Sequence, residues 1–557
     1  MDVSSPVSFP WSAFSGLGSH VAVLATVAVL TIQAWWAISY VNSPLRKYPG
    51  PFLAGWTNLW RFFLAACGRY PETVKKLHDK YGPVVRLGPN MLDLDIPQLI
   101  RTIYATDGSW VKTDFYHNNS TLIEGQIIYN IFSTTDQAMN ARMKKPIVKH
   151  YTEGSILAIE PLLDSVIGEF CSILEERFID GPEGPKAFDL GAYIAYVTWD
   201  MVGSVTFSKS FGYMEKGCDF DRTIGIADNF SAIGMLPFLD SLLDKNPLIR
   251  IGPPNLSNIT NVAIERLIAR AQGKDPNFRP GVPDYLQLFL EAKESYPEIV
   301  HDGMVMNYIF VNLVAGADTT AIALRAVIYF LIRHGNVLQK VEKEVLAAEI
   351  DDIARYSTAK SLPYLEAVVR EAMRLHPSVS MPLERYTPKT GLKLPDGSFI
   401  PPSTAVGMTP YVISRNRDIW GPDADEFRPE RWLQAENESD AAYQERLRSF
   451  NGNDLTFGAG SRICLGRHLG LIEVYKIVAT LVSRYEMALD DPSRRDSDTS
   501  EEVVDFMKRE DYAVPDIAAH GWYLYRPWGA RSLDSFRHSN GISVLRRNFY
   551  AGKWELD

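Results

Sequence analysis

The residues best equipped for chemistry stand late in the chain, in Phe457-Gly458-Ala-Gly460-Ser-Arg462-Ile-Cys464-Leu-Gly466. One cysteine sits in a glycine-rich loop, with an aromatic ring seven residues before it and a guanidinium two before it. Glycines let the backbone approach a flat ligand, because no Cβ stands in the way. Amide N–H groups near a sulfur favour its thiolate. A thiolate is a strong donor to haem iron and pushes electron density toward bound dioxygen, which favours O–O cleavage. The plain alternative is a buried structural cysteine beside a glycine turn.

A second set of reactive residues lies on the longest expected helix, Met304–His334, which has no proline and stops at Gly335. At ~1.5 Å per residue it spans roughly 45 Å, enough to cross a domain. Its middle reads Ala315-Gly316-Ala317-Asp318-Thr319-Thr320. Small residues admit a flat partner, and Gly316 and Thr319 can loosen the hydrogen-bond ladder. An acid beside an alcohol in an apolar helix is costly unless both are used. The alternative is a hydroxyl bonded back to the helix and an acid at a wet turn. A third set is Glu371 and Arg374, at i and i+3 on a helix framed by Pro363 and Pro377. An isolated pair of this kind is usually a solvated surface pair.

Taken in order, these segments resemble the cytochrome P-450 superfamily. Every signature position of the superfamily's haem-ligand loop is filled, and the resemblance extends over residues 44–490. It implies a haem b cofactor with Cys464 as the iron ligand, and Phe457, Gly458, Arg462 and Gly466 forming its loop. Asp318 and Thr319 match the oxygen-activation motif, where the alcohol holds the activated oxygen and a water and the acid relays protons. Glu371 and Arg374 match the Glu-x-x-Arg pair. Arg431, in Phe427-Arg-Pro429-Glu430-Arg431-Trp432, matches the arginine that completes a structural network behind the haem, by bidentate pairing. Arg385 and Lys144 match further partners of the haem propionates. In the early basic helix, Asn140 replaces the family's aromatic or histidine and can still donate a hydrogen bond. That basic stretch, Arg142 to Lys145, can equally be a solvated face that docks an acidic redox partner. By position, Phe115, Tyr116, Ala315, Val379 and Leu383 are guesses for the substrate pocket. Tyr116 in Lys112-Thr-Asp-Phe-Tyr, the Asn140–Lys144 stretch and Thr206-Phe-Ser-Lys-Ser-Phe-Gly look like fungal secondary-metabolism members related to pisatin demethylase.

The implied function is a monooxygenase that takes electrons from an NADPH-dependent flavoprotein reductase and inserts one atom of O2 into an apolar small molecule. The rivals are a non-oxidative haem-thiolate isomerase or dehydratase, and a haem sensor without turnover. An intact Asp318–Thr319 pair speaks against both, since neither needs a proton relay.

These residues must be held by a large core, and 557 residues with 46% apolar and 22% charged content can supply one. The net charge of −10 argues against a nucleic-acid partner. Four cysteines, Cys67, Cys171, Cys218 and Cys464, form no zinc spacing and no disulfide framework. Helices are expected at 137–179, 189–206, 222–235, 258–272, 284–295, 304–334, 336–349, 363–375 and 467–484. Strands and turns are expected at 80–100 and 380–412, and polar loops at 435–450 and 490–505. The fold expectation is therefore mainly α with a small β-rich lobe, which the resemblance specifies as a cytochrome P-450 fold.

One N-terminal transmembrane helix is expected ahead of it. Residues 17–41 are almost wholly apolar, about enough for a ~30 Å hydrocarbon core. Trp35, Trp36 and Tyr40 suit the interface, and Arg46 and Lys47 suit the cytosolic side. The apolar run is too long for a cleaved signal and lacks a basic n-region. The expected domains are a membrane anchor (1–43), a proline-rich hinge (44–51), the catalytic domain (52–490) and an atypical C-terminal extension (491–557). The last includes a possible terminal hairpin near Trp522. The expected location is the endoplasmic reticulum membrane with a cytosolic catalytic body, and 224–243 as a second lipid contact. The sequons at Asn118, Asn119, Asn255, Asn258 and Asn437 are then chance matches.

Overall fold

The computed structural model describes residues 12–123, 126–180, 187–228, 257–489 and 542–546. The second lipid contact expected at 224–243 falls mostly outside the described residues, as do the loop at 490–505 and Trp522.

Helices build most of the body. Those that frame the site are α1 (Ser12–Asn42), α2 (Gln137–Lys144), α3 (Glu160–Leu174), α4 (Leu190–Phe207), α5 (Asp302–Arg333), α6 (Gly335–Ala347), α7 (Pro363–Leu375) and α8 (Arg467–Arg484). Helix α5 runs through the centre. It packs along α4, α7 and α8, and most of its side chains are buried. It is long and apolar enough to cross a membrane by length and composition, but 72% of its apolar window is buried inside the protein. It is the axis of the core, because a helix apolar all round needs protein on every side. The expected N-terminal segment forms the 31-residue helix α1.

The β lobe is a five-stranded sheet of β1 (Val84–Gly88), β2 (Met91–Leu94), β3 (Val111–Lys112), β4 (Arg385–Tyr386) and β5 (Ala405–Gly407), in the order β1-β2-β5-β4-β3. Only β2 and β5 run parallel; Met91 faces Ala405. Strand β4 pairs with β3 so that Lys112 lies opposite Arg385. That register brings residues far apart in the chain to one edge. Tyr485–Leu489, which follows α8 directly, pairs antiparallel with Ile542–Arg546, so part of the expected extension returns to the body.

Two expectations need correction. The stretch 137–179 is not one helix. It breaks into α2, a 3-10 turn at Val148–Tyr151, a short helix at Glu153–Leu157, α3 and a π turn at Glu175–Ile179. Pro146 and Pro161 lack the N–H that a continuous helix needs. The polar stretch 435–450 is mainly helical from Asp440 to Asn453. Ser439 caps it by accepting from the Ala442 amide, and Phe450 anchors it by stacking on Trp420, 4.6 Å between centroids. A cap and one aromatic outweigh a polar composition.

Candidate functional site

The Cys464 loop is closed by its own backbone. The Cys464 amide donates to the Phe457 carbonyl at 2.9 Å. Gly458 and Gly460 adopt φ of +70° and +64°. At Gly460 the requirement is also steric, since a Cβ would lie 1.8 Å from the Tyr104 carbonyl oxygen. Phe457 and Leu465 pack on the main core. Cys464 itself keeps an open face. Burial nevertheless pushes its thiol above the ordinary range, and the amides of Gly466 and Arg467 with the cations of Lys144 and Arg467 pull it back. Amides and cations alone therefore do not hold the thiolate; a bound metal ion would, because coordination removes the thiol proton.

Helix α8 leaves this loop and meets α5 at the expected motif. A Cβ on Gly470 would stand 3.5 Å from the Thr320 hydroxyl. In the middle of α5, Ala315 is exposed and Val311, Val314, Asp318 and Thr319 are half-buried, as are Phe310 and Gly316, while Asn312, Leu313, Ala317 and Thr320 are buried. The first five follow helical spacing, so one stripe of a core helix is left partly open. Gly316 faces the other way, where a Cβ would press within 3.0 Å of Val202. Thr319 donates its hydroxyl to the Ala315 carbonyl at 2.8 Å, which leaves the oxygen able to accept. Ser378 donates to the Thr319 carbonyl at 2.8 Å and ties the segment after α7 to the same turn. Two open surfaces inside a packed body, a sulfur on one element and a small-residue stripe on the other, fit a flat ligand.

One edge of the site gathers four cations. Lys112 is buried, donates to the Phe132 carbonyl at 2.7 Å and lies over the Tyr116 and Phe132 rings. Burial holds its ammonium well below the usual lysine range, and Arg385, Arg462 and Lys144 add to that. Arg462 donates to Gln137 Oε1 at 3.0 Å and to the Asp136 carbonyl at 3.2 Å. Its Nη1 is buried with no partner. Burial, and then Arg385, push it down to about 10. Lys144 bonds the Ser461 carbonyl at 3.0 Å and is lowered by burial and by Arg462. Arg385 is buried and donates to its neighbour's carbonyl, that of Glu384. None of the four lies within ion-pair distance of a carboxylate among the described residues. Such an arrangement is costly on its own and is relieved by an anion. The two carboxylates of a haem would supply that charge, so the residues present fit the group.

The expected network is assembled completely. Glu371 accepts from Arg374 Nε and Nη2, both at 2.8 Å, and from Arg431 Nε at 3.2 Å. Trp432 Nε1 at 2.9 Å and the Arg428 amide at 3.1 Å complete its lone pairs. Arg431 also meets Asp423 at 3.0 Å. All three network residues are buried.

The pocket guesses divide. Ala315 is exposed and Val379 and Phe115 are half-buried. Tyr116 is buried and belongs to the cation cluster, between Lys112 and Arg385. Leu383 is held in the sheet by its amide to the Met408 carbonyl. Asn140 is turned away to the Ile131 carbonyl, 2.7 Å, where it braces a loop. Sequence reasoning missed Lys112, although it begins the segment quoted for Tyr116. It also missed Glu473. This carboxyl is buried in α8 and pushed up to about 8 by burial, with a hydrogen bond from Thr320 acting against the shift. Its signal was an acid within the apolar run of 467–484.

Comparison with known proteins bears on the same span. The family model described as cytochrome P450 matches residues 49–512. "Cytochrome P450 monooxygenase cfoH" of Aspergillus candidus is 42% identical over 488 residues, covering 86% of this chain and 90% of the relative. A cytochrome P450 monooxygenase of Aspergillus terreus is 35% identical, covering 83% and 96%. "Cytochrome P450 monooxygenase cicH" of Emericella nidulans is 34% identical, covering 82% and 90%.

Proposed function

The chain belongs to the cytochrome P450 family and is a haem-thiolate monooxygenase, and from that premise we propose an NADPH-reductase-driven enzyme of fungal secondary metabolism acting on an apolar small molecule. Its family uses O2, a redox partner and small-molecule substrates. What supports the reading is an open Cys464 on the loop that leads into α8, an open Ala315–Thr319 stretch on α5, which α8 packs against, and four cations with no carboxylate at ion-pair distance among the described residues.

In this reading Cys464 would ligate the iron of a haem b, and Lys112, Lys144, Arg385 and Arg462 would neutralise its propionates. A bound haem would supply the chemistry of O2 activation and oxygen transfer to the substrate. Phe457 packs on the main core and, through its carbonyl on the Cys464 amide, would hold the loop in place. Thr319 would offer its hydroxyl oxygen to a water at the open stripe, and Asp318 would exchange a proton with solvent beside it. Glu473 keeps Thr320 in place from behind. Glu371, Arg374 and Arg431 hold the segment that leads into the Cys464 loop. Ala315, Val379 and Phe115 face the substrate. The catalytic body spans 52–490, α1 crosses the endoplasmic reticulum membrane once, and the body faces the cytosol.

The reduced CO complex tests the ligand. Wild type should give the thiolate Soret band, and Cys464→Ser should lose both the band and turnover. A serine variant that keeps them overturns the assignment. Stopped-flow reduction by reductase and NADPH, with and without an apolar substrate, separates a monooxygenase from an isomerase or a sensor. Fast reduction coupled to oxygenated product is expected.

A further inference from the structure

A serine just past α7 reaches across the core to the α5 motif. Helix α7 ends at Leu375, because Pro377 restricts the residue before it and has no N–H to continue the ladder. Residues 376–384 then run to β4 without helix or strand. Ser378 and Ser380 are buried on this segment, and Val379 between them is half-buried. A serine in such a place can bond back to the carbonyl three residues before it. Ser361, Ser380 and Ser414 do so, on Thr358, Pro377 and Tyr411, at 2.8, 2.8 and 2.9 Å. Ser378 does not. By that rule its acceptor is the Leu375 carbonyl, and Arg415 Nη2 already donates there at 2.7 Å. The Ser378 hydroxyl donates instead to the Thr319 carbonyl at 2.8 Å, 59 residues away in the chain.

In the ladder of α5 that carbonyl belongs to the amide four residues on, at Ala323. A carbonyl oxygen has two lone pairs, so Ser378 takes the second. The bond therefore does not rescue an orphaned acceptor. It fixes the Thr319 peptide against the segment that bears Val379.

Thr319 is thereby held at two points. Its own hydroxyl donates to the Ala315 carbonyl at 2.8 Å. A threonine in a helix divides between two χ1 wells, and this bond selects one. The rotamer sets the hydroxyl relative to its backbone, and Ser378 sets that backbone relative to the far wall of the site. Both are needed to hold a group within about 0.5 Å of its working position.

We propose that Ser378 is a positioning residue for Thr319. It aligns the Thr319 hydroxyl with the segment on which Val379 meets the substrate, and it acts only through Thr319. The inference deepens the reading of this site given above and rests on it.

The test uses the full-length, haem-loaded protein and reads the carbon monoxide stretch of its reduced CO complex by infrared, which senses polar groups beside the bound gas. Thr319→Ala should shift the band. Ser378→Ala should shift it by several wavenumbers and broaden it, and Ser378→Thr, which keeps a hydroxyl, should restore it. In the Thr319→Ala background Ser378→Ala should add nothing, an outcome that a merely structural tie would not give. In the haem-free protein, amide hydrogen exchange over 315–323 should be roughly threefold faster in Ser378→Ala and unchanged in Ser378→Thr. A Ser378→Ala variant with the wild-type band and exchange overturns the proposal. So does a shift of the same size with and without Thr319. Should Ser378→Ala yield no loaded protein, Ser378→Cys, near in size and a weak donor, takes its place with the same outcomes. If Thr319→Ala itself leaves the band unmoved, the role given to Thr319 above falls, and this proposal with it.

Discussion

Two buried clusters of cations treat their charge in opposite ways. In the first, Arg374 and Arg431 converge on Glu371, and their remaining N–H groups reach Asp423 and the carbonyls of Ala424 and Glu426. Every charge there has its counter-charge within the protein. In the second, Lys112, Lys144, Arg385 and Arg462 face one another, and Arg462 Nη1 has no partner among the described residues. The first cluster is complete as folded. The second is incomplete until an anion arrives. A satisfied buried network belongs to the scaffold, whereas an unsatisfied one marks where something binds.

The largest effect should come from breaking the satisfied cluster. Glu371→Ala leaves the buried Arg374 guanidinium without its carboxylate and Arg431 with Asp423 alone, at a cost of about 3–5 kcal/mol. That is a large part of a domain's stability, so little haem-loaded protein should be recovered. Thermal unfolding and the haem-to-protein ratio measure it, and a variant with wild-type stability would remove the distinction between the clusters.

The unsatisfied cluster should respond with opposite signs in its two states. Arg462→Leu or Lys112→Met removes a repelling charge, so the haem-free protein should melt no lower than wild type. The loaded protein should lose haem faster to a scavenging globin, by roughly tenfold for each lost charge-assisted contact worth about 1.4 kcal/mol. Equal destabilisation of both states would show that the cations are structural.

Turnover sharpens the contrast between neighbouring alcohols. Thr319 lies on the open stripe and Thr320 is buried against Glu473. Thr319→Ala should keep haem and substrate yet divert several-fold more NADPH electrons to peroxide. Thr320→Val should act mainly on stability. Peroxide yield per NADPH and melting temperature distinguish the two.

The smallest effect is a pH dependence. Lys112 has a folded pKa well below its unfolded value, so the unfolded chain binds more protons between the two. Stability of the haem-free protein should therefore rise with pH toward the usual lysine value of about 10.4. Lys112→Met should flatten that rise, and haem loading should abolish it. Melting curves across neutral to alkaline pH read this out.

Much of this was legible in the residues. The Cys464 loop, the α5 motif and the Glu371–Arg374–Arg431 set depend on local spacing, and spacing is a property of the chain. Proline framing and apolar period marked α7 and α8 closely, because both are set within a few turns. The helix at Asp440–Asn453 was hidden, since its stability comes from Phe450 on Trp420 rather than from an apolar stripe of its own.

Amino-acid sequence by itself supplied the residues of the proposed chemistry: one cysteine among glycines, one acid–alcohol pair on a long helix, one acid with two arginines. Tertiary structure decided which cations stand without a carboxylate among the described residues. Lys112 meets Arg385 only because β3 pairs with β4, and both meet Arg462 and Lys144 only because the Cys464 loop docks on α2. It also decided that Tyr116 joins the cations and that Ser378 bonds the Thr319 carbonyl. Charge imbalance and hydrogen bonds across the core depend on distances across the fold, and a linear order of residues carries no such distances.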